Sequence, residues 1–226
     1  MDTAFETAVV DDYVGALAKT LRGPRRARRD LLAEARDGLY DAAEAYAEEG
    51  LPPGEAQARA VADFGPVAEV APGFQEELTA AQSRRTAALL FLSTPGVALM
   101  WGVLWQIFPA GFDVAKPAWF EVVARSVDLI QMATGLVGAA VLLRLRRTRR
   151  SRPLARLLGL LVWLQAPLMA ALCGTLMVSA GLALSAFPGY LPGQVATWIS
   201  LAFWTWQLWS AARCLRSAGQ VPALSR

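Results

Sequence analysis

The chain has 226 residues, 55% of them hydrophobic, with a mean hydropathy of +0.34, more apolar than an ordinary soluble domain. Its net charge of +3 conceals a division: residues 1–80 carry 16 acids against 8 bases, and residues 81–226 carry 3 acids against 14 bases. With no histidine and only Cys173 and Cys214, a zinc or haem centre lacks ligands, so no metal or cofactor is expected, and the acidic front argues against binding nucleic acid through its backbone.

The opening MDTAFETAVVDDY has no basic stretch followed by an apolar one, so it does not read as a signal peptide. Helical spacing then puts Val9, Val10, Tyr13, Val14, Leu17 and Leu21 on one face of a first helix over 5–21. Gly23-Pro24 breaks the chain, and Pro24 suits the first turn of a second helix that runs to Glu49 and stops at Gly50. A third helix opens at Pro53 and ends near Phe64-Gly65. Pro66 opens a fourth, which Pro72-Gly73 should interrupt before it continues through Phe74 and Leu78.

The second helix has two faces. Leu32, Ala35, Leu39, Ala42, Ala43 and Tyr46 should bury against its neighbours. Asp30, Glu34, Asp37, Asp41, Glu44 and Glu48 recur at steps of three and four and form one acidic stripe, either a solvated face or a docking face for a basic partner. Arg25, Arg26, Arg28 and Arg29 at the helix start oppose the macrodipole, so they either rest on anionic headgroups or pair with Asp30 and nearby acids.

A resemblance is carried by four pieces: Tyr13-Val14, Leu17 and Leu21; Arg29-Asp30-Leu31-Leu32 with Glu34, Asp37, Leu39 and Asp41; Gly50-Leu51 with Glu55-Ala56; and Phe64-Gly65-Pro66 with Glu69-Val70-Ala71. In order and spacing these resemble the HAAS signalling domain and the related permease prefix domain, helical cytoplasmic modules that precede membrane spans. The resemblance covers roughly residues 10–80. It implies signalling or regulation, often beside PadR-type transcription regulators, or fusion to transporter permeases. Gly38 stands where such domains often carry histidine, and Pro72 falls in the last helix.

After Ser83-Arg84-Arg85 no charge follows until Asp113, which makes about 87–108 a first membrane crossing, with Pro95-Gly96 marking a kink or a close helix approach. The connection 109–121 is poor in basic residues and is expected outside. A second crossing runs over about 122–143, with Arg125 and Asp128 on one face as an interfacial ion pair or a functional carboxylate. Arg144, Arg146, Arg147, Arg149, Arg150, Arg152 and Arg156 then form a loop without an acid, which the positive-inside rule places in the cytoplasm.

The 56 uncharged residues between Arg156 and Arg213 are too many for one span, so two crossings, about 157–186 and 195–215, turn at Phe187–Gly193. Ala166, Ala170 and Gly174 suggest a small-residue packing face, and Gln106, Gln131, Gln165 and Gln207 suit hydrogen bonds between helices.

The expected fold is all-α: a small cytoplasmic helical bundle (1–82) followed by a four-helix transmembrane bundle (83–226), in the inner membrane with both termini cytoplasmic. No Walker loop, Ser-His-Asp set or HExxH appears, so no catalytic residue and no enzyme are expected. The sequence favours a membrane-tethered regulator whose partners are a cytoplasmic protein such as a PadR-like regulator, and membrane lipids. The competing function is an accessory or permease-like transporter subunit. Self-association is left open.

Overall fold

The structure, a computed structural model, describes residues 8–107, 117–147, 151–179 and 191–219. Among these residues the structure is all-helical: α1 (Ala8–Thr20), α2 (Arg25–Glu48), α3 (Pro53–Phe64), α4 (Val67–Ile107), α5 (Phe120–Arg147), α6 (Arg152–Ser179) and α7 (Leu191–Ala218). The chain divides into two compact units, Met1–Gln82 with Arg216–Arg226, and Ser83–Leu215, the first division falling inside α4.

The first unit is a helical bundle with an apolar centre. Val10, Tyr13 and Leu17 of α1, Leu39 and Ala43 of α2, Ala60 of α3, and Ala71 and Leu78 of α4 meet in one core. Pro24 sits at the N-cap of α2, where a missing N–H costs nothing. At its other end Gly50 has φ of 100°, Gly50 N–H donates to the Ala47 carbonyl and Leu51 N–H to that of Tyr46, which satisfies the orphan carbonyls of the last turn. Gly65, also at φ of 100°, ends α3.

The structure explains why the chain brings Tyr13 and Phe64-Gly65 together. The Tyr13 ring meets Phe64 edge-on at 5.8 Å, and its hydroxyl donates to the Gly65 carbonyl at 2.7 Å. The turn between α1 and α2 is fastened to α4 by one amide. Gln75 Oε1 accepts the Arg22 N–H at 2.9 Å, and Gln75 Nε2 donates to the Arg22 carbonyl at 2.8 Å. Gly23 is needed beside it, because a Cβ there would lie 2.9 Å from Leu78 Cβ.

The second unit is packed the other way out. Away from the arginines at its helix ends, many of its large exposed side chains are apolar, among them Leu129, Leu136, Leu164 and Trp198, while Thr86, Ser93, Thr94, Gln131, Thr134, Gln207 and Ser210 are buried. Water would not tolerate that exterior, whereas lipid does. Three helices are long and apolar enough to cross a membrane: α4, α5, and α6 over Arg152–Leu176. This is the architecture of a multi-pass membrane protein.

Several expectations are corrected. Pro72-Gly73 does not interrupt the fourth helix. Pro72 falls in the second turn of α4, so only the bond to the Ala68 carbonyl is lost and the helix runs on to Ile107. The arginine cluster is not one loop: Arg144, Arg146 and Arg147 close α5, while Arg152 and Arg156 lie in the opening turns of α6. Cations at the end of α5 complement its macrodipole, which lets the helix extend into the cluster. Arg149 and Arg150 lie outside the described residues.

Phe120 and Glu121 already belong to α5, and Leu191-Pro192-Gly193 open α7, with Pro192 in a first turn that needs no N–H. The rest of the 109–121 connection up to residue 116, and of the 187–193 turn up to residue 190, lies outside the described residues.

The small-residue face is also elsewhere. Ala170 and Gly174 are exposed, and a Cβ at Gly174 would meet nothing within 4 Å. The close approach is made by α5 on α4. A Cβ at Gly138 would stand 2.8 Å from the Ala87 carbonyl oxygen and 3.0 Å from the Phe91 nitrogen. One at Gly135 would stand 3.1 Å from Cδ of Pro95. Pro95-Gly96 therefore marks a close helix approach.

Candidate functional site

The acidic stripe is a property of the outer face of α2. Ala35, Leu39 and Ala43 bury one side of that helix, and the 3.6-residue period turns Asp30, Glu34, Asp37, Asp41, Glu44 and Glu48 outward, where all six are exposed. Asp30 has two neighbours, Arg26 at 3.9 Å and Arg29 at 3.7 Å, and all three side chains are more than half exposed. Such pairs contribute little. Among the described residues, Glu34, Asp37, Asp41, Glu44 and Glu48 have no ion pair or hydrogen bond from a side chain.

Other acids of the same unit are spent on structure. Asp11 of α1 accepts from Arg36 at 2.8 Å and from Tyr40 at 3.4 Å, which ties α1 to α2. Asp63 of α3 accepts from Tyr46 and pairs with Arg59 at 3.3 Å. The Tyr46 hydroxyl is pushed above its ordinary pKa, first by its bond to Asp63, with Arg59 opposing. Tyr13 is also raised, by burial. The stripe is thus a row of carboxylates that the described fold does not use, set beside carboxylates that it does. Among the described residues no three His, Cys, Asp or Glu side chains converge as a metal site.

The basic residues occupy helix ends. Arg25, Arg26, Arg28 and Arg29 are exposed in the first turns of α2, and Arg28 reaches the Leu21 carbonyl at 3.3 Å. Arg144, Arg146, Arg147 and Arg156 are exposed and Arg152 is half-buried. Arg125 reaches back one turn to Glu121 at 3.8 Å, with both side chains about 80% exposed. Asp128 is exposed on the same helix.

Apart from Gln207, which was expected to bond between helices and does so, sequence reasoning missed the polar seam inside the second unit. Along α4 and α7, Ser83 meets Cys214 at 3.6 Å, Thr86 meets Ser210 at 2.8 Å, Gln207 donates to Ser93 at 2.7 Å, and Trp101 donates to Ser200 at 3.1 Å. On α7 these positions recur at steps of seven, three and four, and on α4 at steps of three, seven and eight, which keeps each set on one helical face as in an antiparallel coiled-coil seam. A search for hydroxyls at heptad spacing in the apolar runs would have found it. Cys173 and Cys214 are free thiols.

No family model matches the chain, and no curated protein or solved structure matches it either.

Proposed function

We propose that the chain is a membrane-tethered, non-enzymatic regulator whose acidic α2 face binds a basic cytoplasmic protein. The observation that carries this reading is the row of exposed, unspent carboxylates from Glu34 to Glu48, on a unit whose other carboxylates include ones that hold it together. Like charges at steps of three and four cost a few tenths of a kcal/mol per pair, so the row does nothing for the helix that bears it. The HAAS-like spacing of Tyr13, Asp30, Glu34, Gly50 and Phe64-Gly65-Pro66 supports the same reading and favours a PadR-type regulator as the partner.

The apolar unit is the anchor, and α7 is its fourth crossing. Its four tryptophans, two glutamines and several hydroxyls lower its hydropathy. Yet Ser200, Gln207 and Ser210 are bonded to α4, and its outward residues include Leu191, Val195, Trp198, Ile199 and Leu201. A helix whose polar groups are satisfied within the bundle enters lipid without their desolvation penalty. Arginines at 84–85, 144–156 and 213–226 support a topology with both termini in the cytoplasm and the chain in the inner membrane.

Co-purification of the full chain from its native membrane tests the function. A soluble DNA-binding protein in the eluate supports regulation. An ATPase or permease subunit in its place supports the accessory transporter role instead.

A further inference from the structure

The second unit holds a polar centre to which all four of its long helices contribute one side chain. Ser93 of α4 accepts from Gln207 Nε2 of α7 at 2.7 Å, and Thr134 of α5 lies 2.8 Å from Gln165 Oε1 of α6. The two glutamines line one crevice between α6 and α7, with about 20 Å³ of space and apolar walls from Val162, Ala166, Met169, Trp204 and Leu208.

One hydroxyl at this centre is asked to donate twice. The Thr134 hydroxyl has one proton and two acceptors at 2.8 Å, the Ile130 carbonyl and Gln165 Oε1. Turning the Gln165 amide over resolves the conflict, since carbonyl and amino groups of glutamine are interchangeable in placement. Nε2 then donates to Thr134, whose proton goes to Ile130. The arrangement at Ser93 is the same: its proton goes to the Leu89 carbonyl at 2.6 Å and it accepts from Gln207. Each glutamine thus spends an N–H on a hydroxyl and leaves its Oε1 outside both bonds, on a side chain that lines the crevice. Two such acceptors suit a two-proton donor.

We infer that the crevice binds one ordered water, which donates to Gln165 and Gln207 and joins Ser93, Gln207, Gln165 and Thr134 into a single four-helix hydrogen-bonded chain. The space suits this ligand, because about 10–15 Å³ is enough for one water and an acyl chain or apolar ligand needs far more. Apolar walls on α6 and α7 keep the water from being lost into a surrounding network. The node also fixes the relative register of the four helices, since sliding any one of them breaks a bond to the shared water.

A crystal structure of the full chain, at a resolution that shows ordered water, tests the site directly. A density peak at hydrogen-bonding distance from both amides is expected. A direct bond between the two amides, or a crevice without a peak, overturns the inference. Melting of the full chain in micelles gives an independent reading through Gln165→Met, Gln207→Met and the double variant. Each single change should lower the melting temperature, and the double should lower it no further than the larger single, because either one releases the shared water. Losses that add would overturn the bridge.

Discussion

At the scale of single residues, two tyrosines and two glycines carry sharp consequences. Tyr13 is buried and its hydroxyl closes α3 on the Gly65 carbonyl, so Tyr13→Phe removes one partly buried bond and should cost about 1 kcal/mol. Folding raises the Tyr13 and Tyr46 hydroxyls above their ordinary value of 10.0, which means the native state favours the protonated phenol. Their contribution is therefore complete below that value and is lost as pH rises through the folded pKa. Thermal melts of the full chain should hold steady up to about pH 10 and fall above it, and the fall should shrink in Tyr13→Phe.

The glycines separate two packing faces. Gly138→Ala drives a Cβ onto the Ala87 carbonyl and the Phe91 nitrogen, backbone atoms that cannot swing aside. Overpacking of that kind should cost about 1–3 kcal/mol, read as a lowered midpoint of denaturation in micelles. Gly174→Ala meets nothing within 4 Å and should leave the midpoint unchanged or raise it.

At the scale of elements, the first unit was the more legible. Its breaks are written in Gly and Pro, and α2 and α3 begin and end within one residue of where Pro24, Gly50, Pro53 and Gly65 put them. The buried and acidic faces of α2 followed from the 3.6-residue period alone. Pro72 misled because proline near a helix start is tolerated, and sequence does not say how far the preceding turn extends. Ala170 and Gly174 misled for a different reason. Small-residue spacing marks a face able to pack closely, but Gly135 and Gly138 have the same property, and only the neighbouring helix decides which face is used. The seam of Ser83, Thr86, Ser93 and Trp101 against α7 was hidden because hydroxyls in an apolar run look incidental until their partners, more than ninety residues away, are known.

At the scale of the whole molecule, the proposed regulator joins a membrane anchor to an acidic face that would bind a basic partner. The anchor predicts a labelling pattern. In a chain with Cys173 and Cys214 replaced, single cysteines at positions 113 and 190 should react with an impermeant reagent from outside, and one at the exposed position 147 should react only after the membrane is opened. Labelling at 147 without labelling at 113 would reverse the topology. The binding face predicts salt dependence, because exposed charge pairs are screened over about 8 Å at physiological ionic strength. Capture of the partner should therefore weaken as salt is raised.

The most direct measurement is capture of the cytoplasmic partner by the full chain carrying Asp37→Lys, Asp41→Lys and Glu44→Lys. These three positions are exposed and, among the described residues, bonded to nothing that holds the fold, so helicity and membrane insertion should be unchanged. The account predicts that capture is lost. Undiminished capture by the triple variant would contradict it and leave the stripe as a solvated helix face.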